Sequence, residues 1–301
     1  MDAIGYVSYM AEIFTYRKRT ISTNDVNFLR KIIAANPDES RRALSLRVCR
    51  EWNWTQPNGV LKDGVCRSLM LKLHREGYIT LPPRKRPFTG GRQAKRKKAE
   101  KIDIDQMPII STVKKLQPIE FKLVRKTKYE NLCNSLIEQY HYLGYTQPVG
   151  EHLKYLVFSA ERPIACFTFS SAPYSILHRD KFIGWSSDSL EKNRHLLAYN
   201  SRFLLLPWVK VPHLASHLLG RCARRISTDW QTYYNHPVYW LETFVDTERF
   251  KGTCYKAANW IFLGNTSGRG KYNKTQKQLT SIKAMYALPL VRDFRKRLCH
   301  G

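Results

Sequence analysis

The sequence predicts an α+β protein of two domains joined by a basic linker. A small N-terminal domain of three helices in winged-helix order is followed by a larger C-terminal domain of mixed α/β type. Three observations carry this. Apolar residues recur at helical spacing three times between Ser22 and Leu73, and a short β-prone run follows the last. Residues 84–101 then hold Arg84, Lys85, Arg86, Arg92, Lys95, Arg96, Lys97, Lys98 and Lys101 against one acid, Glu100, with a Gly90-Gly91 pair and no apolar period. Beyond Pro118, β-prone and helical runs alternate to the end of the chain. The expected division is a leader at 1–20, the winged-helix-like domain at 21–83, a flexible basic linker at 84–117 and the mixed domain at 118–301.

Each element has its own reason. Val26, Leu29, Ile32 and Ile33 mark the first helix, which Asn36-Pro37 closes. Asp38 or Ser40 caps the second, whose apolar face is Leu44, Val48 and Trp52. After the Gln56-Pro57-Asn58-Gly59 turn, Leu61, Val65, Leu69 and Leu73 mark a third, with Lys62, Arg67, Lys72 and Arg75 on its other faces. Tyr78–Leu81 reads as a wing strand and Arg84-Lys85-Arg86 as a basic loop after it. In that arrangement the third helix would enter a major groove and the loop would touch the backbone. A three-helix protein-binding module with solvated charges is the alternative. In the second domain Phe121–Val124 reads as a strand and Tyr129–Tyr140 as a helix leading into the loop Tyr140-His141-Tyr142-Leu143-Gly144. Leu153–Ala160 and Ile164–Ser170 form a hairpin, and a long polar connection follows. Ser201–Val211 is the next strand and His213–Arg225 the next helix. Val238–Val245, a short helix with Tyr255, Asn259 and Trp260, and Ile261–Leu263 then form one unit. Ile282–Leu288 supplies a last strand before a basic tail, Arg292–Arg297.

Composition narrows the function. An apolar fraction of 43% is enough for a packed core, so this is no disordered chain. The balance of 51 Lys+Arg against 24 Asp+Glu leaves +27, far beyond the needs of solubility, and nucleic acid is the obvious polyanion. No apolar run is long enough to span a bilayer, and no apolar signal core opens the chain, so no membrane partner and a cytoplasmic location are expected. The seven cysteines, scattered and without a C-x-x-C pair, fit reduced thiols better than zinc or disulfides. The basic stretches Lys95-Arg96-Lys97-Lys98 and Arg269-Gly270-Lys271 are expected to contact DNA phosphates, along with Lys62, Arg67, Arg84, Lys85 and Arg86.

Candidate chemistry gathers where the Val238–Val245 strand ends on Asp246, near Tyr255, and in the loop carrying His141 and Tyr142. Glu242, Phe244 and Asp246 share one strand face, but four residues span roughly 13 Å, so Glu242 and Asp246 cannot hold one ion together. Glu242, in mid-strand, is expected to pair with a neighbouring cation, for which Arg202 is the candidate. His213 and His217 stand at i, i+4 spacing without a carboxylate nearby.

Two resemblances add to this reading. The order of elements resembles a GNAT-like acyltransferase sheet, with a splayed strand pair at Arg202–Leu206 and Val238–Val245. The stretch Val209–Ser216, where such enzymes use glycines to bind the coenzyme A pyrophosphate, contains none, which argues against ordinary coenzyme A use. His141-Tyr142-Leu143-Gly144, Asn200-Ser201-Arg202-Phe203, Leu214-Ala215-Ser216 and Gly252–Trp260 resemble the Mom-type DNA-modification proteins, which alter adenine in DNA. That resemblance implies functional positions at His141, Tyr142, Arg202, Ser216, Asp246 and Tyr255. It also implies a bound divalent metal of iron type, for which His141 and Asp246 are the candidate ligands. Over nearly its whole length the chain resembles the DruA family of the Druantia anti-phage systems, also found in transposon-associated proteins. The marks are Arg202–Pro207, Glu242–Asp246, Gly252–Tyr255 and Gly268-Arg269-Gly270. The resemblance implies a DNA-processing defence component with other subunits as partners. Base modification is the expected activity; metal- or tyrosine-dependent strand cleavage and a non-catalytic DNA-binding adaptor are the alternatives.

Overall fold

The computed structural model describes residues 12–17, 19–85, 98–268 and 280–300. It divides into two compact units, residues 1–92 and 93–301.

The first unit opens with a hairpin, β1 (Glu12–Tyr16) and β2 (Arg19–Ser22), in the stretch where the sequence gives no signal. Three helices follow: α1 (Thr23–Ala35), α2 (Arg41–Glu51) and α3 (Asp63–Arg75). Ser22 caps α1 in a reciprocal box, its Oγ accepting from Asp25 N while the Asp25 carboxylate accepts from Ser22 N at 2.9 Å. Ser40 caps α2 through Ala43 N. The core joins Ile21 of the hairpin to Val26, Leu29, Leu44, Val48, Leu69 and Leu73.

The expected wing strand at Tyr78–Leu81 does not form. Its backbone bonds go to side chains and to α3 rather than to a partner strand. Tyr78 N donates to Leu73 O, Arg30 Nε to Tyr78 O, and His74 Nδ1 lies 3.1 Å from Ile79 O. Ile79 and Leu81 are buried all the same, so the segment is an extended strap over the helices. The described residues thus show three helices and a small sheet, without a winged-helix wing.

In the second unit a seven-stranded mixed sheet is ordered β10-β11-β9-β7-β6-β5-β4. In chain order its parts begin with β3 (Ile109–Ile110), β4 (Ile119–Leu123), α4 (Glu130–Tyr140), β5 (His152–Ser159) and β6 (Arg162–Ser171). The polar connection folds as two helices, α5 (Leu177–Ile183) and α6 (Ser187–Asn193). Then come β7 (Leu197–Leu205), β8 (Val209–Lys210), α7 (Leu214–Tyr234), β9 (Trp240–Asp246), α8 (Thr253–Ala257), β10 (Ile261–Asn265) and β11 (Lys283–Pro289). The basic tail ends as α9 (Phe294–Cys299), its Phe294 and Leu298 buried. Residues 98–117, expected within the flexible linker, pack on this unit. Ile102 N donates to Ser135 Oγ at 2.8 Å, and β3 pairs in parallel with β8.

Strand β5 is buried along its whole length, because α4 covers one face and α7 the other. Toward α7, Tyr155, Phe167 and Phe203 stand opposite one another on three successive strands. Toward α4, the equivalent row is polar: Lys154, Thr168 and Arg202.

Two irregularities shape the sheet beside this row. Thr168 pairs with Arg202 and Phe169 with Asn200, so Ser201 is an extra residue that bulges β7. Strands β7 and β9 then run parallel for only three pairs, Leu197 to Tyr199 against Trp240 to Glu242, before the ladder ends. No helix among the described residues is long and apolar enough to cross a membrane. All seven cysteines are free.

Candidate functional site

The strands part beyond Tyr199 and Glu242, and the gap opens a cleft of about 450 Å³. Thr243 Oγ1 bridges it at the root, donating to Asn200 O at 3.0 Å. Higher up, the walls are β7 and β9, the loop after α4, and the segment 250–255 before and within α8. Five residues singled out in the sequence line it: His141, Tyr142, Arg202, Asp246 and Tyr255.

The loop after α4 is held from both sides. Gly144 turns it at φ +56°, Arg202 Nε donates to Gly144 O at 2.9 Å, and Tyr145 N donates to Glu138 Oε2 at 2.7 Å. His141 Nδ1 accepts from Leu143 N at 3.2 Å, which places the proton of the neutral ring on Nε2. Burial, with the Arg202 cation adding to it, pushes the imidazole down to about 4, so it is neutral at pH 7. Tyr142 stacks on His141 with ring centroids 4.9 Å apart and leans on Phe250 at 5.5 Å, with the Arg249 guanidinium 5.2 Å above its ring. Burial and then the Asp246 carboxylate raise its phenol above the ordinary value.

Asp246 ends β9 and is only 6% exposed. Its carboxylate accepts from Glu248 N at 3.2 Å and Ser281 Oγ at 3.1 Å, and Arg249 lies 3.9 Å away. Tyr255 is buried, donates its hydroxyl to Asn200 Oδ1 at 2.9 Å, and is raised far above an ordinary tyrosine by burial. Gly252, ahead of it, has φ +67°, and a Cβ there would stand 2.7 Å from the Tyr286 ring.

Two residues stand elsewhere than the sequence suggests. Ser216 does not reach the cleft: it sits in the first turn of α7, donates to His213 O at 3.0 Å, and faces a separate recess with His213 and His217. Glu242 does not pair with Arg202. It is fully buried against Arg179 of α5 at 3.2 Å, while Trp240 Nε1 donates to it at 3.3 Å. Arg179 also holds Asp180 at 2.8 Å, so two carboxylates share one guanidinium. Burial raises Glu242 to about 7.

Among the described residues, His141 and Asp246 are not joined by a third candidate metal ligand. No group of three His, Cys, Asp or Glu able to hold an ion exists among the described residues. His141 presents Nε2–H, a donor, with the Arg202 charge beside it, and both Asp246 oxygens are engaged by their own neighbours.

The sequence reading missed several lining residues: Tyr199, Asn200, Thr243, Phe250 and Lys283. Asn200 and Thr243 lie inside stretches already singled out. Lys283 enters because β11 pairs it with Asp246, and Phe250 left no signal in the sequence. With Tyr140, Phe203 and Phe244 these make the cleft aromatic, and Arg202, Lys251 and Lys283 outnumber Asp246. Of the residues expected on DNA, Arg67, Arg84 and Lys85 line a groove with Arg41 and Arg42 in the first unit. Lys62 stands at the N-cap position of α3 without a side-chain capping bond, and Lys98 begins the stretch 98–268. Arg86, Lys95, Arg96, Lys97, Arg269 and Lys271 lie outside the described residues.

The family described as Druantia protein DruA matches residues 72–295. Among solved structures, an N-acetyltransferase from Staphylococcus aureus Mu50 is similar at 13% identity and TM-score 0.37, over 57% of this chain and 99% of that one. A ribosomal-protein alanine N-acetyltransferase from Escherichia coli is similar at 13% identity and TM-score 0.34, over 57% and 94%. For a chimera of the Vibrio cholerae spermidine N-acetyltransferase SpeG and hSSAT, identity is 13% and TM-score 0.30. That match covers 46% of this chain and 66% of that one. No curated protein sequence matches the chain.

Proposed function

The chain belongs to the DruA family of the Druantia anti-phage defence system, and from that premise we propose that it binds DNA and modifies a base drawn into the cleft between β7 and β9. The observation that carries this is the lining itself: a ring-walled cleft with three cations and one carboxylate. Rings stack on an unpaired base whatever its identity, at about 1–3 kcal/mol each, and cations offset the phosphates that follow it. Tyr142 and Phe250, 38% and 52% exposed, stand at the mouth where a flipped base would enter.

Roles follow from protonation. Neutral His141 donates from Nε2 to a ring nitrogen or carbonyl of the base. Asp246 accepts the proton that an exocyclic amino group sheds as its nitrogen bonds to the group carried by an activated small-molecule donor. The bond from that group to the donor's leaving group breaks, its electron pair going to the leaving group. Arg202 positions the His141 loop, and Tyr255 fixes Asn200 at the cleft root. No step is assigned to a metal. The basic groove of the first unit, with the basic stretches 84–98 and 269–271, would hold the duplex by its phosphates. Membership of a multi-component system implies other subunits.

Tyrosine-dependent cleavage has less support. Tyr255 is buried with its hydroxyl already donated, and Tyr142 is held toward the protonated form. The test is incubation of the protein with duplex and single-stranded DNA, with and without Fe(II), Mn(II) or Mg(II), in the presence of a small-molecule cell extract. One half is run on a denaturing gel and one half digested for nucleoside mass analysis. A mass-shifted nucleoside lost in Asp246→Ala and His141→Ala is the expected result. Nicked strands would replace modification with cleavage, and salt-sensitive binding with neither product would replace it with an adaptor role.

A further inference from the structure

Beside the main cleft, and sharing Ser201 and Arg202 with it, lies a second recess of about 230 Å³ under the loop 145–148. Its floor is the polar row on the α4 face of the sheet. Thr168 stands there between Lys154 and Arg202, its cross-strand neighbours. Lys154 is already satisfied: Nζ donates to Glu130 Oε1 and Asn134 Oδ1, both at 2.8 Å, and to Tyr145 OH at 3.1 Å. Arg202, whose Nε donates to Gly144 O at 2.9 Å and Nη1 to Ser201 O at 2.7 Å, is the one cation among the described residues that line the recess.

Thr168 is the unexplained group. It is 3% exposed, and its Oγ1 is buried with no hydrogen-bond partner among the described residues. Its backbone carbonyl, by contrast, accepts from both Asn200 Nδ2 and Ser201 Oγ at 3.2 Å. A valine would fill the same volume without stranding a donor, so a hydroxyl here calls for an acceptor. The bulge at Ser201 explains why the recess exists, since an extra residue turns both Ser201 and Arg202 toward one side of the sheet. Ser170, Thr146 and Gln147 complete a lining of donors around one cation.

We propose that this recess is an oxyanion subsite of the same cleft, taking a phosphate or carboxylate group on Thr168 and Arg202. It rests on the reading of the main cleft as a nucleotide site. The group then has two sources: the phosphate attached to the nucleotide in the cleft, or the acid group of a small co-substrate. Hydroxyl and guanidinium donors are the pairing that an anionic acceptor strengthens most.

Titration calorimetry on the full chain tests this with inorganic phosphate, acetate, the four deoxynucleosides and their 5′-monophosphates. A 5′-monophosphate is expected to bind about tenfold or more tighter than its nucleoside. Thr168→Val is expected to abolish that advantage, leaving nucleoside affinity and melting temperature intact, and Thr168→Ser to keep it. Acetate or phosphate that competes with the monophosphate assigns the subsite to the nucleotide's own phosphate. Acetate that binds through Thr168 alongside the monophosphate assigns it to a co-substrate. Nucleosides that bind with no phosphate advantage, and anions indifferent to Thr168→Val, would overturn the subsite and spare the base reading. Thr168-dependent anion binding with no nucleoside binding would do the reverse.

Discussion

Glu242→Gln should remove a pH dependence of stability that the native protein carries. Glu242 occupies the last β7–β9 pair, opposite Tyr199, where the strands begin to part. It is fully buried, and the one guanidinium it meets, Arg179, also holds Asp180. Removing the carboxylate from water disfavours its charge, and half a share of one cation does not restore it, so its pKa rises to about 7. A carboxyl raised in the folded state favours folding most while protonated. That contribution is complete below the unfolded value near 4.5 and is lost as pH rises through about 7. At about 1.4 kcal/mol per pH unit, the loss is on the order of 3 kcal/mol. Glutamine keeps the shape and an acceptor for Arg179 but cannot ionise. Urea unfolding at about pH 5 and about pH 8.5, followed by tryptophan fluorescence, should show the native protein losing on the order of 2–3 kcal/mol more than Glu242→Gln between the two. Equal losses would mean that Glu242 is ionised throughout and that the shared-cation argument is wrong.

Two further predictions concern the cleft walls. Lys154→Met leaves Glu130, Asn134 and the Tyr145 hydroxyl without their common donor, a cost of about 2–4 kcal/mol tempered by the partial exposure of Glu130. The loop bearing His141 should then exchange its amide hydrogens faster; unchanged protection at residues 141–148 would show the loop to be held without Lys154. Gly252→Ala places a methyl 2.7 Å from Tyr286 at φ +67°, so a destabilisation of about 1–3 kcal/mol is expected on thermal melting. A melting temperature equal to that of the native chain would refute the close approach.

What the sequence discloses follows from what kind of order decides each element. Helices α1 to α3 are legible because one-sided burial imposes a local period, as with Leu69 and Leu73 on α3. The β5–β6 hairpin and β9 are legible because both faces are covered and the runs are apolar. Tyr78–Leu81 has the same apolar look, yet a strand needs a partner, and its carbonyls are taken by Arg30 and His74 instead. Helix α5 hides in a polar stretch because Arg179, its most buried side chain, is stabilised by Glu242 63 residues away. No local pattern reports such a pairing, and the same blindness made Arg202 the expected partner of Glu242. Placement of His141, Asp246 and Tyr255 around one cleft depends on register and splay. Local residue types suggested them, and only the sheet shows that Ser216 stands apart.

The charge of the chain and the neutrality of its candidate histidine belong to one argument. A protein with +27 net charge concentrates polyanion at its surface, but a cationic imidazole inside the cleft would bind a phosphate as readily as a base. Burial, with the Arg202 cation adding to it, pushes the His141 ring down to about 4 and keeps it neutral. The same arginine braces the loop at Gly144 and borders the recess at Thr168. In the proposed site, one fixed cation would separate the two halves of a nucleotide. On its recess side it would attract an oxyanion, and on its cleft side it would leave His141 a neutral donor among the rings on which a base can stack. A lysine at this position would keep the charge but lose the planar fork that reaches Gly144 O and Ser201 O together. That is why an arginine directly after a bulge is the arrangement this cleft requires.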